Sequence, residues 1–370
     1  MLLLLIIVVL CVSVLGENFV LRGAKWNNKK FQEANIVLHI GPHKTATTHI
    51  QQTFAKYQQE LSDAGYCWQG NGFKKEHHNL AVHLYFNRTH RLPEHQYMFD
   101  CLEIGQKLLI SSETFAIFAN QGSFNTLKQY FHPRKIAIVA AYREPLSLFY
   151  SIYTEVNKNK DYATSFGDFI LHYYKKYADA YRYALLMNYE KQFGRDSIVI
   201  IDYNGVKAAN QDIAHVFLCD VLRILCDVKI TTNLIDNRHP SMLPHNVFQM
   251  VRTYLRSHDC SFHPSFNLVR TLQLINSYSN LVPILPTVRS SAVMLYDLSV
   301  RLDQELRSRY ADILLYNNRT AALESMDKFS MVELDQAAFL TSKRWTSWLR
   351  HQAKRLIEKE IIVNCTIIPS

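Results

Sequence analysis

The feature that most constrains this chain is an abrupt change of character at residue 41. Asn35–Ile40 reads Asn-Ile-Val-Leu-His-Ile, a β-branched apolar run of the kind found in strands buried on both faces. It passes without a linker into Gly41-Pro42-His43-Lys44-Thr45-Ala46-Thr47-Thr48, and that loop passes into a stretch of helical character reaching about Leu61. A buried strand, a short loop of glycine and hydroxyl residues and a helix bring a row of backbone N–H groups to one point, with the positive end of the helix dipole behind them.

The rest of the chain repeats the alternation. A turn at Asp63-Ala64-Gly65 precedes a short strand at Tyr66–Trp68, and His78–Tyr85 is expected to be helical. Lys107–Ser111 and Lys135–Tyr142 are two further buried strands, and Pro145–Val156 is a helix with proline in its first turn. Phe166–Phe193 reads as a helix stopped by Gly194, and Ser197–Asp202 as a last strand. This spacing predicts an α/β fold, a central parallel β-sheet flanked by helices. Amphipathic stretches around 244–257 and 290–310 predict a helical C-terminal extension of the same domain, which is placed over 34–365.

The loop has the residues of a phosphate cradle. Gly41 permits a sharp exit from the strand, and Ala46 is small enough for backbone to approach an anion. Lys44 supplies a point charge with rotatable donors, and Thr45, Thr47 and Thr48 supply hydroxyls. It is not a Walker A loop, which has four residues between its first glycine and a Gly-Lys pair; only Pro42 and His43 separate Gly41 from Lys44. A second segment points the same way. The strand at 135–142 ends at Arg143-Glu144-Pro145, and Ser151 follows eight residues after Arg143. An arginine at the carboxyl end of a strand and a hydroxyl two turns into the next helix can hold another phosphate, in the crevice where open α/β sheets bind ligands.

These two segments resemble those of PAPS-dependent sulfotransferases. Gly41, Pro42, His43, Lys44, Thr45, Ala46, Thr47 and Thr48 are similar to the loop that binds the donor's 5′-phosphosulfate, and Arg143 and Ser151 to the pair that binds its 3′-phosphate. The form His-Ile-Gly-Pro-His-Lys-Thr-Ala-Thr-Thr-His-Ile-Gln (His39–Gln51) resembles a branch common in bacteria and in some eukaryotic secretory proteins, and the likeness runs from about 35 to 220. Ala46 departs from it, since many members have glycine there. The resemblance implies a P-loop NTPase-like sulfotransferase fold, PAPS as co-substrate leaving as PAP, and no metal. It implies transfer of a sulfuryl group to a hydroxyl or amine, with Lys44 stabilising the leaving phosphate and Thr47 and Thr48 fixing its oxygens. Asn237-Arg238-His239-Pro240-Ser241 is a further candidate donor contact. The general base is Glu113 at the end of the 107–111 strand, His77 or His78, or another group, since either type serves when its pKa is tuned.

The address is read from other features. Leu2–Leu15 is an unbroken apolar or small run closing at Gly16, short for a membrane span and suited to a signal peptide cut before Glu17 or to an uncleaved signal anchor. Residues 17–33 then form a short polar, basic stem. Asn87-Arg88-Thr89, Asn318-Arg319-Thr320 and Asn364-Cys365-Thr366 are glycosylation sequons, and Cys67, Cys101, Cys219, Cys226, Cys260 and Cys365 allow up to three disulfides. Together they predict a glycoprotein of the secretory pathway, in the Golgi lumen or secreted. A net charge of +9 suits an anionic partner. No zinc-finger spacing or dense arginine helix points to nucleic acid, and a carbohydrate acceptor is expected. The membrane enters only through the leader. Two rivals remain: another P-loop nucleotide-dependent enzyme of kinase-like type, and a non-catalytic secreted binding protein that keeps the fold. The aromatics of 166–183 either pack in a core or line an acceptor groove.

Overall fold

Alternate residues of each strand serve different cores. The computed structural model describes residues 31–69, 76–117, 121–157, 184–228, 250–262 and 342–358, with short pieces at 287–289, 332–334 and 362–363 and single positions near 170 and 306. The leader, most of the stem, the second and third sequons and the segment 237–241 lie outside these residues. The chain divides into two compact units, one of 1–148, 177–233 and 299–317, the other of 149–176, 234–298 and 318–370.

The first unit holds a five-stranded sheet: β1 (Ile36–Gly41), β2 (Tyr66–Trp68), β3 (Lys107–Ser111), β4 (Ile136–Tyr142) and β5 (Ile198–Asp202). Their order is β2-β3-β1-β4-β5, and every neighbouring pair is parallel. The α/β fold and its parallel sheet are therefore as expected, each strand lying within a residue of its predicted bounds. On one face Ile36, Leu38 and Ile40 of β1 join Leu108 and Ile110, Ile138 and Ala140, and Ile200 in a single buried cluster. On the other, Val37 joins Leu109, Val139, Ala141 and Ile201. This period of two, with both faces apolar, is why the strands read as continuous hydrophobic runs.

Helices close both faces. Over the second face lie α1 (Thr47–Lys56) through Ile50 and Phe54, α2 (Gln58–Asp63) through Leu61, and the segment Ile213–Leu222. The single helix expected to run through Leu61 is thus two, broken at Tyr57 (φ −107°, ψ 33°). The break lets both Tyr57 and Leu61 turn toward the same cluster. Over the first face lie α3 (Glu76–Tyr85), α4 (Gln121–Phe131) and α6 (Ala184–Phe193), the last covering the C-terminal part of the stretch expected to be helical over 166–193. The connection after β1 therefore leaves over one face and that after β3 over the other, which opens a crevice at the carboxyl ends of the strands. Cys67–Cys101 and Cys219–Cys226 are disulfides, and Cys260 is also disulfide-bonded.

Helix α5 (Pro145–Asn157) runs into the second unit. There Tyr150 and Tyr153 pack edge-on against Phe166, and Tyr153 also against Phe169. Of the aromatics weighed for an acceptor groove, Tyr173, Tyr174, Tyr177, Tyr181 and Tyr183 lie outside the described residues. The second unit is not only helical: Ser261–Phe262 pairs antiparallel with Ile362–Val363, and Thr287–Arg289 with Val332–Leu334. Its longest described helix is α7 (Lys343–Glu358). Among the described residues no helix is long and apolar enough to cross a membrane.

Candidate functional site

The loop after β1 is shaped by three residues with positive φ. Gly41 has φ +83°, and a Cβ built on it would lie 3.2 Å from both Cα and Cβ of Glu113, so backbone and backbone meet there with room for hydrogen alone. Lys44 and Ala46 take φ 68° and 64°, in the left-handed region that costs an L-residue about 1–2 kcal/mol. Left-handed residues interspersed in a turn aim successive N–H groups into one concavity, which is how backbone makes an anion nest. The Thr45 hydroxyl donates to the Pro42 carbonyl at 2.6 Å and the Thr47 hydroxyl to the same oxygen at 3.4 Å. Both threonines are buried, so their hydroxyls brace the turn, whereas Thr48 and His43 are exposed and Pro42, Lys44 and Ala46 half-buried at its crown. Ala46 is the N-cap of α1 and offers no side-chain cap, and the first helical bond runs from Ile50 N–H to its carbonyl. The amides of the first turn thus open onto the loop without an intrahelical acceptor.

β4 brings the second predicted segment to the same place. The Arg143 guanidinium donates through Nη1 to the Lys44 carbonyl at 2.5 Å and through Nε to the Ser147 hydroxyl at 3.1 Å. It lies over the Tyr203 ring, 4.9 Å from its centroid. The neighbouring Glu144 is buried because it caps α5, accepting from the Leu146 and Ser147 amides at 2.9 and 2.8 Å. Its own amide donates to Asn204 Oδ1. Ser147 and Tyr203 were not among the candidates. Ser147 stands four residues after Arg143, a spacing that could have suggested it; nothing in the sequence brings Tyr203 beneath a guanidinium 60 residues away.

β3 supplies the opposite wall, and Ser111 fixes its end. The Ser111 hydroxyl shares a hydrogen bond with His39 Nδ1 of β1 at 2.8 Å. Gln51 of α1 donates to the Ser111 carbonyl and hydroxyl, and the Ser111 amide donates to His77 Nδ1 at 3.3 Å. Two residues on, Glu113 is half-buried beside Gly41, its carboxylate 3.8 Å from His43 Nδ1. Its neighbour Thr114 shares a 2.6 Å hydrogen bond with the exposed His78. Glu113 and His78 therefore reach the same turn. His77 does not share their position: it is buried, packs edge-on against Trp68, and burial lowers its pKa to about 4. It serves as an acceptor inside the wall, which corrects its reading as a candidate general base. His39 is likewise buried, against Phe217, and burial lowers its pKa to about 3.

The first turn of the loop helix is tied down by a contact between a histidine and a carboxylate. His49 Nε2 lies 2.9 and 2.8 Å from the two oxygens of Asp212. Burial pushes the Asp212 carboxyl up, but the His49 hydrogen bond and charge, with the Ala214 and His215 amides, outweigh it and hold the carboxyl below its usual value. Ser151 belongs to the second unit, where it is buried two turns into α5 and its carbonyl accepts from the Thr154 hydroxyl. Of the predicted residues, the first unit thus gathers Gly41–Thr48, Arg143, Glu113 and His78. Among the described residues no group of three or more His, Cys, Asp or Glu side chains is arranged to hold a metal ion. Comparisons with protein families, with curated proteins and with solved structures give no match to this chain.

Proposed function

We propose that the chain is a sulfotransferase, moving the sulfuryl group of PAPS to a hydroxyl or amine acceptor, a carbohydrate of the secretory pathway. The observation that carries the reading is the bond from Arg143 to the Lys44 carbonyl, which joins two segments about a hundred residues apart at adjacent strand ends. Two cationic phosphate-binding elements side by side suit a nucleotide with phosphates at two ends. The disulfides agree with an oxidising lumen.

In the proposed reaction the acceptor oxygen or nitrogen forms a bond to sulfur as the bond from sulfur to the 5′-phosphate oxygen breaks. The electron pair leaves with PAP, where Lys44 and the amides of the loop stabilise the growing charge. The acceptor's proton passes to Glu113 or His78, the chain neighbour and the hydrogen-bond partner of Thr114. In-line placement supplies most of the rest.

The test is transfer from labelled PAPS onto a panel of glycans, peptides and phenols. Wild-type protein should label a glycan, and Lys44→Ala should lose the activity. Glu113→Gln or His78→Gln should slow transfer about 10²–10⁴-fold, whichever is the base, with PAP binding retained. ATP or GTP turnover with magnesium, and no stabilisation by millimolar PAP, would overturn the proposal in favour of a kinase-like enzyme. PAP binding without transfer to any acceptor would leave a binding protein of the same fold.

A further inference from the structure

Helix α7 reads Lys-Arg-Trp-Thr-Ser-Trp-Leu-Arg-His-Gln-Ala-Lys-Arg-Leu-Ile-Glu, with five Lys or Arg against one acidic residue, Glu358 at its end. Its two faces are distinct. Leu349, Gln352 and Leu356, spaced three and four apart, are buried at 2% exposure or less. Lys343, Ser347, Arg350, His351 and Lys354, which repeat at the same helical spacing, are exposed. A solvated helix ordinarily mixes charge signs, because opposite charges four apart stabilise it and like charges destabilise it by about 0.2–0.5 kcal/mol. Here Arg350 and Lys354 are like charges at that spacing, and the helix's one acid, exposed Glu358, stands a turn beyond Lys354 at the end of the row. At about 1.5 Å per residue the cations from Lys343 to Lys354 extend along roughly 17 Å of helix.

From this face we infer a docking surface for a linear polyanion, specifically an acidic polysaccharide carrying sulfate or carboxylate groups. Charge complementarity selects an anion, and the row of cations selects an extended one. A membrane surface fits less well, since an interfacial helix buries its apolar face in lipid, and here Leu349 and Leu356 are already packed within the protein. Nucleic acid fits less well in a chain with disulfides at Cys67–Cys101 and Cys219–Cys226, which belongs to an oxidising compartment. The surface does not depend on the proposed chemistry, and a binding protein with no transferase activity would keep it.

The test uses the full chain and heparin as probe, with binding followed against salt concentration. Arg350→Gln with Lys354→Gln should weaken binding at least tenfold at physiological salt. It should also lower the slope of log affinity against log salt by about two, one released counterion for each cation removed. Ser347→Glu, which places an acid on the same exposed face without removing any contact, should weaken binding in the same direction. Lys191→Gln with Lys207→Gln changes the net charge equally on exposed helix positions of the first unit and should leave affinity within about twofold. Melting curves establish that each variant is folded, and should the double variant not fold, Ser347→Glu alone decides. Equal losses from the α7 and control variants would show that overall charge binds heparin and overturn the inference. So would unchanged affinity in the α7 variants, or tighter binding to phosphatidylserine vesicles or to duplex DNA than to heparin.

Discussion

Replacing Arg143 by alanine separates the two things its guanidinium does. In the free protein it gives up the bonds to the Lys44 carbonyl and the Ser147 hydroxyl and the contact with the Tyr203 ring. The side chain is half-exposed, so these are worth about 1–2 kcal/mol of stability rather than the full strength of charge-assisted bonds. In the proposed complex with PAP it would also remove a charged contact to phosphate of about 1.5–3 kcal/mol, which raises Kd about 10- to 150-fold. With PAP at about 100 times the wild-type Kd, the ligand stabilises the native wild type by about 2.7 kcal/mol. At the same concentration the variant should retain only about 0.3–1.4 kcal/mol of that stabilisation, by the same mass-action relation. Chemical denaturation with and without PAP measures both quantities, and calorimetry gives Kd directly. Arg143→Lys keeps the charge but loses the fork and the stacking on Tyr203, so it should fall between the two. A folded Arg143→Ala protein that binds PAP as tightly as wild type would refute the assignment of Arg143 to the donor.

The loop backbone makes a second prediction. Ala46→Gly relieves a left-handed alanine and should stabilise the protein by about 1 kcal/mol with PAP binding retained, whereas Gly41→Ala, at φ +83° and 3.2 Å from Glu113, should destabilise it by about 1–3 kcal/mol; urea denaturation of both variants checks the sign. The buried histidines make a third. His39 and His77 have folded pKa values of about 3 and about 4 against 6.5 in the unfolded chain, so the unfolded state binds more protons between them. Their contribution is intact above pH 6.5 and is lost as pH falls toward 4, at up to about 1.4 kcal/mol per pH unit for each histidine. His77→Gln should flatten the pH dependence of urea stability across that window by close to one proton, and a slope unchanged from wild type would exclude buried neutral His77 as its source.

The sheet was legible because every strand is apolar on both faces. Ile36–Gly41, Leu108–Ile110 and Ile136–Tyr142 stand out from polar surroundings as continuous runs, and their spacing leaves room only for crossover helices. The loop was legible because a glycine and three threonines between such a strand and a helix are a demanding combination. What could not be read depends on strand order. The sequence lists β3 third, yet the sheet places it beside β1, and only that pairing brings Glu113 against Gly41 and His77 behind Ser111. Two adjacent histidines look alike in sequence, but on α3 one points into the wall and the other to Thr114. Likewise, nothing local says that the hydroxyls of Thr45 and Thr47 turn back onto Pro42 while Thr48 stays exposed.

Strand order also explains why so many polar side chains are buried beneath one loop. β1 lies between β3 and β4, so the turn at Gly41–Thr48 has a neighbour on each side and can be held from both. Arg143 holds it from the β4 side through the Lys44 carbonyl. On the β3 side Ser111 links His39 of β1, Gln51 of α1 and His77 of α3, so the strand, its loop helix and the opposite wall share one hydrogen-bonding centre. His49 and Asp212 then fix α1 to the segment after β5. Left-handed conformations at Lys44 and Ala46 persist only where the surroundings over-determine them, and these bonds are the over-determination. The consequence is a loop conformation held from both sides in the free protein; in the proposed in-line transfer, positioning already in place need not be drawn from binding energy.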